Sequence, residues 1–153
     1  QLSEMEKIAR TLPELSIILN HIGGPIHLGK YEGKQALTHR EWRKAMMRLS
    51  RLPNIKVKLG GLGMEVNGAK FHLNQNPPNS SQLADIWKSW IYETIDMFGV
   101  ERCMFESNFP VDKGSCSYGS LWNAFKIISE NMSDNEKNKL FYENAAKTYK
   151  IKL

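Results

Sequence analysis

Three short apolar runs, each closed by a turn, constrain this chain more than any other feature. Leu15-Ser16-Ile17-Ile18-Leu19-Asn20 leads into His21-Ile22-Gly23-Gly24-Pro25. Asn54-Ile55-Lys56-Val57-Lys58-Leu59 leads into Gly60-Gly61. Arg102-Cys103-Met104-Phe105-Glu106-Ser107 leads into Asn108-Phe109-Pro110. A brief apolar run bounded by turn residues reads as a strand covered on both faces, the pattern of a parallel sheet. The polar residue at the C-terminal end of such a strand stands where α/β folds place their chemistry.

The segments between the runs carry helical periodicity. Met5, Ile8, Ala9 and Leu12 recur at helical spacing, so a helix is expected from Ser3, read as its N-cap, to about Thr11. Thr38-His39-Arg40-Glu41 has the form of a capping box and predicts a helix from there to about Leu52, with Trp42, Ala45, Met46 and Leu49 inward. A third helix is expected over about Ser81 to Phe98, closed by Gly99 at C′. A fourth is expected over about Ser120 to Glu130, and a last one from the capping box Ser133-Asp134-Asn135-Glu136 to about Tyr149. Strands alternating with helices predict an α/β chain of parallel βα units. Successive strand ends lie farther apart than the ~30 residues of a βαβ repeat, so insertions are expected in the loops.

Composition narrows the class. With 153 residues and a net charge of +5, the chain is large enough for one domain, read as residues 1–153. Its basic residues are dispersed, without the basic stripe and interleaved aromatics of a nucleic-acid groove, so no nucleic acid is expected as a partner. No apolar run approaches the ~18 residues of a membrane span, so no membrane partner is expected either. Cys103 and Cys116 are too few for a disulfide framework and read as free thiols, which suggests a cytoplasmic protein. The chain opens on Gln1 rather than Met, and a preceding N-terminal portion is expected.

Candidate site residues come from the strand ends. His21 closes the first run, and Gly23 and Gly24 would let a ligand approach closely. It reads either as a strand-capping residue or as a general base or ligand. Period-two alternation puts Lys56, Lys58 and Gly60 on one face of the second strand, and Met104, Glu106 and Asn108 on one face of the third. Lys58 and Glu106 therefore form either a structural ion pair or the polar floor beneath a ligand, with His21 close above. His27, His39 and His72 read as loop residues facing solvent. No His-x-His, Cys-x-x-Cys or His-Glu-x-x-His motif is present, so no metal site is expected in this chain.

These strand ends, with Val57-Lys58-Leu59-Gly60-Gly61-Leu62, Phe109-Pro110-Val111-Asp112 and the tail Leu140-Phe141-Tyr142-Glu143-Asn144-Ala145-Ala146, resemble the C-terminal part of the amidohydrolase-related TIM-barrel hydrolases. The likeness is greatest to the branch of sugar-lactone and pyrone-carboxylate lactonases. It implies the last three or so strands of a (β/α)8 barrel, hydrolysis of a cyclic ester or amide, and a small-molecule substrate. The family often binds a divalent metal such as zinc, and its first-strand His-x-His would lie before Gln1. The resemblance makes His21 and Asn108 the catalytic candidates, while Lys58 and Glu106, from their shared face, and Gly23, from the close approach it allows, are read as binding substrate. His21 would be a base or a metal or substrate ligand. Asn108 stands where the family usually has an aspartate, and an amide cannot take up a proton there. Its expected role is an orienting hydrogen-bond donor. The alternative is a non-enzymatic α/β fragment that self-associates. Three parallel strands cannot close a barrel, so a homo-oligomer covering the sheet edges is expected.

Overall fold

A computed structural model describes residues 1–152. Its centre is one sheet of three parallel strands, β1 (Ile17–Leu19), β2 (Ile55–Leu59) and β3 (Cys103–Phe105), in the order β1-β2-β3. Ile17 stands opposite Ile55, and Val57 opposite Cys103. Ile55, Val57 and Leu59 are fully buried while Lys56 and Lys58 are half-buried, the alternation expected of β2. Strand β3 is shorter than its run. It stops at Phe105, and Met104, expected on the polar face, is as buried as its neighbours.

Among the described residues six α-helices surround the sheet: α1 (Leu2–Thr11), α2 (Gln35–Ser50), α3 (Ser80–Phe98), α4 (Tyr118–Ile128), α5 (Asp134–Asn138), which buries no residue, and α6 (Asn144–Tyr149). Trp42, Met46 and Leu49 of α2, Leu83, Trp87 and Ile91 of α3, and Leu121, Phe125 and Ile128 of α4 turn inward onto the strands. Phe105 stacks on Phe125 at 4.5 Å, which fixes α4 over β3.

Several helix starts differ from those expected. Helix α1 begins at Leu2, with Gln1 rather than Ser3 at its N-cap. The Thr38 capping box does not form. Gln35, Ala36 and Leu37 already continue the helix, and the Thr38 hydroxyl donates back to the Lys34 and Gln35 carbonyls. The Glu41 carboxylate meets Lys44 and Arg40 instead. Helix α3 begins one residue early, under a capping box of Asn79 and Gln82. The Ser133–Glu136 box forms as expected. The expected final helix, however, widens into a π turn at Lys139–Glu143, between α5 and α6. Just past that turn, Asn144 donates to the Val100 and Cys103 carbonyls, both at 2.7 Å.

Two side chains tie the N-terminal ends of the strands to the helices. Asn54, the residue before β2, reaches the carbonyls of Ala9, Leu12 and Leu15 at 3.0–3.1 Å. Arg102, the residue before β3, donates to Phe98, Leu52 and Ser50 carbonyls at 2.7–2.9 Å. Carbonyls left over at helix ends are thereby satisfied. Among the described residues no helix is long and apolar enough to cross a membrane.

Candidate functional site

At the opposite, C-terminal end of the strands the chain gathers its charged side chains. Glu106 follows β3 directly. Its Oε1 lies 2.6 Å from His21 Nδ1 and accepts the His21 backbone N–H at 3.1 Å. Its Oε2 lies 3.5 Å from Lys58 Nζ. The carboxylate is only 12 % exposed, against 26 % for His21 and 24 % for Lys58, so the three groups meet mostly out of water. Burial works against the charge on Lys58, but Glu106 and the nearby Tyr149 hydroxyl outweigh it and raise its pKa. Its ammonium also lies 5.7 Å from the Tyr149 ring centre. Lys56, on the same face, bonds the Thr148 hydroxyl at 2.9 Å.

Glycines make this convergence possible. A Cβ on Gly60 would land on the Glu106 carbonyl, and one on Gly61 would come within 2.5 Å of His21 Nδ1. Gly61 also has φ +66, where L side chains are rare. Strain is concentrated here too. His21, Ile22 and Asn108 all hold positive φ without being glycine. Once Asn108 turns through φ 53, strand alternation no longer decides where its side chain goes.

Asn108 donates through Nδ2 to Asp112 Oδ1 at 2.8 Å, and the Gly63 N–H reaches Asp112 Oδ2 at 3.4 Å. The Ser115 hydroxyl donates to the Gly63 carbonyl at 2.5 Å. Asp112 is 1 % exposed, and it went unrecognised in the sequence as a site residue. Its signal was the polar i, i+4 pair Asn108 and Asp112 straddling a proline. Burial pushes its pKa up, against the Asn108 and Gly63 hydrogen bonds and the nearby His21 charge. The folded chain thus holds a proton on Asp112 more tightly than the unfolded chain does. That stabilisation is complete below the ordinary carboxyl range and is lost as pH rises through the elevated value. Asp112→Asn, which mimics the protonated acid, is expected to gain stability relative to the parent between pH 4 and pH 7 in thermal unfolding. A difference that stays flat with pH would mean Asp112 is not desolvated.

The structure thus joins His21, Lys58 and Glu106 in one contact network and sets Asn108 beside Asp112. It does not bring Gly23 to that network: a Cβ there would meet Met46, Leu2 and Leu19 side chains, so that side of the residue faces the core. His27, expected to face solvent, is buried, because Gly68 packs against it and its N–H bonds the Val66 carbonyl at 2.8 Å. His39 is partly covered, at 2.7 Å from Glu93. Among the described residues no three His, Cys, Asp or Glu side chains converge as metal ligands. His21 Nδ1 is held by Glu106, and Glu106 is shared with Lys58. The residues of this chain by themselves do not fit a three-ligand zinc centre.

The profile of the family described as Amidohydrolase matches residues 1–151. Uncharacterized protein y4mH of Sinorhizobium fredii is 39% identical over 155 residues, covering 99% of this chain and 44% of that protein. L-fucono-1,5-lactonase of Burkholderia multivorans is 27% identical over 136 residues, covering 88% of this chain and 43% of the enzyme. A crystal structure of an amidohydrolase from Burkholderia multivorans with bound zinc superposes with a TM-score of 0.79 at 27% identity, over 99% of this chain and 50% of that one. The chain spans less than half the length of the two curated relatives and half of the solved one.

Proposed function

The chain belongs to the amidohydrolase family, and from that premise we propose that it supplies the last three strands of a TIM-barrel hydrolase that opens a cyclic ester. The observation that carries this reading is the 2.6 Å contact between His21 Nδ1 and Glu106. Donation from Nδ1–H to the carboxylate leaves the Nε2 lone pair available, which is the arrangement a general base needs. Lys58 balances the carboxylate on its other oxygen.

Water loses a proton to Nε2 as its oxygen bonds to the lactone carbonyl carbon, and the carbonyl oxygen takes up the negative charge. The remaining amide hydrogen of Asn108 is an available donor for that oxyanion. Collapse breaks the ring C–O bond, and the imidazolium returns its proton to the departing alkoxide, giving a hydroxy acid. A lactone suits this machinery better than an amide, because an alkoxide leaves with less protonation than an amine requires.

His21→Asn is expected to lower lactone hydrolysis about 10²–10⁴-fold, the usual worth of a positioned acid–base group. The measurement, made on the complete barrel that contains these strands, is proton release from a panel of 1,4- and 1,5-lactones, including L-fucono-1,5-lactone. Rates no higher than spontaneous hydrolysis across the panel, or an unchanged rate in the variant, would sink the reading.

A second reading, a non-enzymatic α/β unit that self-associates, draws support from the edge of the sheet. Ile8 and Leu15 line a groove beside Ile17 of edge strand β1, and both are about half exposed, as is Leu12. On that reading, sedimentation at micromolar concentration gives a dimer or larger species that Ile8→Lys dissociates. A monodisperse monomer leaves only the first reading.

A further inference from the structure

Helix α6 is aimed by the π turn that precedes it. In a straight α-helix, Leu140, Asn144 and Thr148 would drift around the axis by about 40° at each step of four residues. The π turn at Lys139–Glu143 holds more residues per turn and winds back most of that drift. All three residues therefore reach the sheet or its margin. Leu140 is fully buried in the core, Asn144 bonds the Val100 and Cys103 carbonyls at 2.7 Å, and the Lys56 ammonium donates to the Thr148 hydroxyl at 2.9 Å. Single π turns inside helices are frequent at functional sites.

The helix closes immediately beyond. Lys150 takes the left-handed conformation at φ 55, and the Ile151 N–H returns to the Ala146 carbonyl at 2.9 Å. Tyr149 is the last residue of α6, so its backbone is held by the Asn144 anchor on one side and by this closing turn on the other.

Thr148 and Tyr149 meet Lys56 and Lys58, the two side chains that β2 turns to its polar face. The end of α6 therefore lies over that face. The Lys58 ammonium stands 5.7 Å from the Tyr149 ring centre and 3.5 Å from Glu106 Oε2, and the other oxygen of that carboxylate lies 2.6 Å from His21 Nδ1. Charge-assisted hydrogen bonds usually measure about 2.7–2.9 Å. At 3.5 Å, Glu106 alone does not fix where a flexible lysine puts its charge. The Tyr149 ring gives the ammonium a second hold, by attraction to its π face. Its hydroxyl adds to this, in keeping with the raised Lys58 pKa.

We propose that Tyr149 is a positioning residue: from the end of α6 it holds the Lys58 ammonium against Glu106, and so keeps that carboxylate on His21. It touches no reacting atom. The proposal deepens the reading above and rests on it for the effect on hydrolysis, but the placement of Lys58 is tested without turnover.

Acetylation of the complete barrel by N-hydroxysuccinimidyl acetate, followed lysine by lysine in a mass spectrometer, reads how firmly each ammonium is held. Tyr149→Leu removes ring and hydroxyl together and is expected to speed labelling of Lys58 about fivefold, the size of one such contact at a partly covered site. Tyr149→Phe keeps the ring and is expected to speed it less. Lys44 on α2 and Lys88 on α3 are expected to label at the parent rate in both; Lys88 is a close control, since it lies 5.8 Å from the centre of a different tyrosine ring, Tyr92. If Tyr149→Leu loosens the whole fold, Lys44 and Lys88 rise with Lys58, and Tyr149→Phe then decides. No selective rise at Lys58 in either variant would overturn the proposal.

Hydrolysis supplies the second readout. Tyr149→Leu is expected to lower kcat about tenfold, less than the ~100-fold that a 1 Å misplacement can cost. In a Lys58→Met background it is expected to have no further effect, because the group it positions is gone. A residue that merely supports the fold would cost the same in both backgrounds, and equal losses would overturn the positioning role. Selective release of Lys58 in a barrel without lactone hydrolysis would overturn only the reaction; hydrolysis that Tyr149→Leu leaves untouched would overturn only this assignment.

Discussion

Gly60→Ala lowers the stability of the fold by about 3 kcal/mol, the upper end of what one overpacked methyl usually costs, and by roughly 10 °C in thermal midpoint for a chain of this size. The added methyl would stand against the Glu106 carbonyl and within 2.5 Å of its Cγ. Side-chain rotation cannot relieve the first of these contacts, because the carbonyl belongs to the backbone as it leaves β3. The backbone itself must move, and Glu106 moves with it, away from His21 and Lys58. Under the proposed function, the variant is expected to lose hydrolysis along with stability. A midpoint within 2 °C of the parent by calorimetry would show that β2 and β3 can separate at this point, and that the site is less constrained than its geometry indicates.

Glu106→Gln is the second large effect. The carboxylate serves the His21 ring, the His21 backbone N–H and the Lys58 ammonium together. An amide has one acceptor oxygen for them and turns its own N–H groups toward at least one donor. Removing one partner of a mostly buried pair costs about 3 kcal/mol, the low end of the usual range for a pair that keeps some exposure. Adding Lys58→Met is expected to recover part of the loss, because the ammonium then no longer faces an amide donor. Denaturant unfolding of the two single variants and the double variant closes the cycle. If the double variant loses the sum of the single losses, Lys58 and Glu106 are not coupled, and the ion pair contributes nothing to the site.

How far the sequence foretold this arrangement depends on whether a residue lies inside a strand or beyond it. Lys58 and Glu106 could be placed on one face in advance by period two, but not at one height: Lys58 stands opposite Met104, and Glu106, just beyond β3, reaches back to it. His21 could be found because an apolar run stopped at it. Asp112 was marked only by its i, i+4 spacing from Asn108, because their contact is made after the backbone has turned through a positive φ, where alternation no longer carries information. His27 failed for a related reason. Its burial depends on Gly68 in a different loop, a tertiary contact with no local signature. Thr38-His39-Arg40-Glu41 had the right letters for a cap, but the three residues before it were good enough helix formers to carry the helix past them. The Asn79–Gln82 cap had an equally clear pattern and was obscured by the run of loop residues in which it sits.

Asn54 and Arg102 have a consequence for how such a chain can change over time. Each gathers three carbonyls at the end of the sheet farthest from His21, so strand position and helix docking are determined there. The loops between Gly61 and Asn79 and between Asn20 and Lys34 leave from the other end and take no part in that anchoring. Insertions and substitutions in them can accumulate without disturbing strand register, so that natural selection can alter what is recognised at one end while the other end preserves the framework.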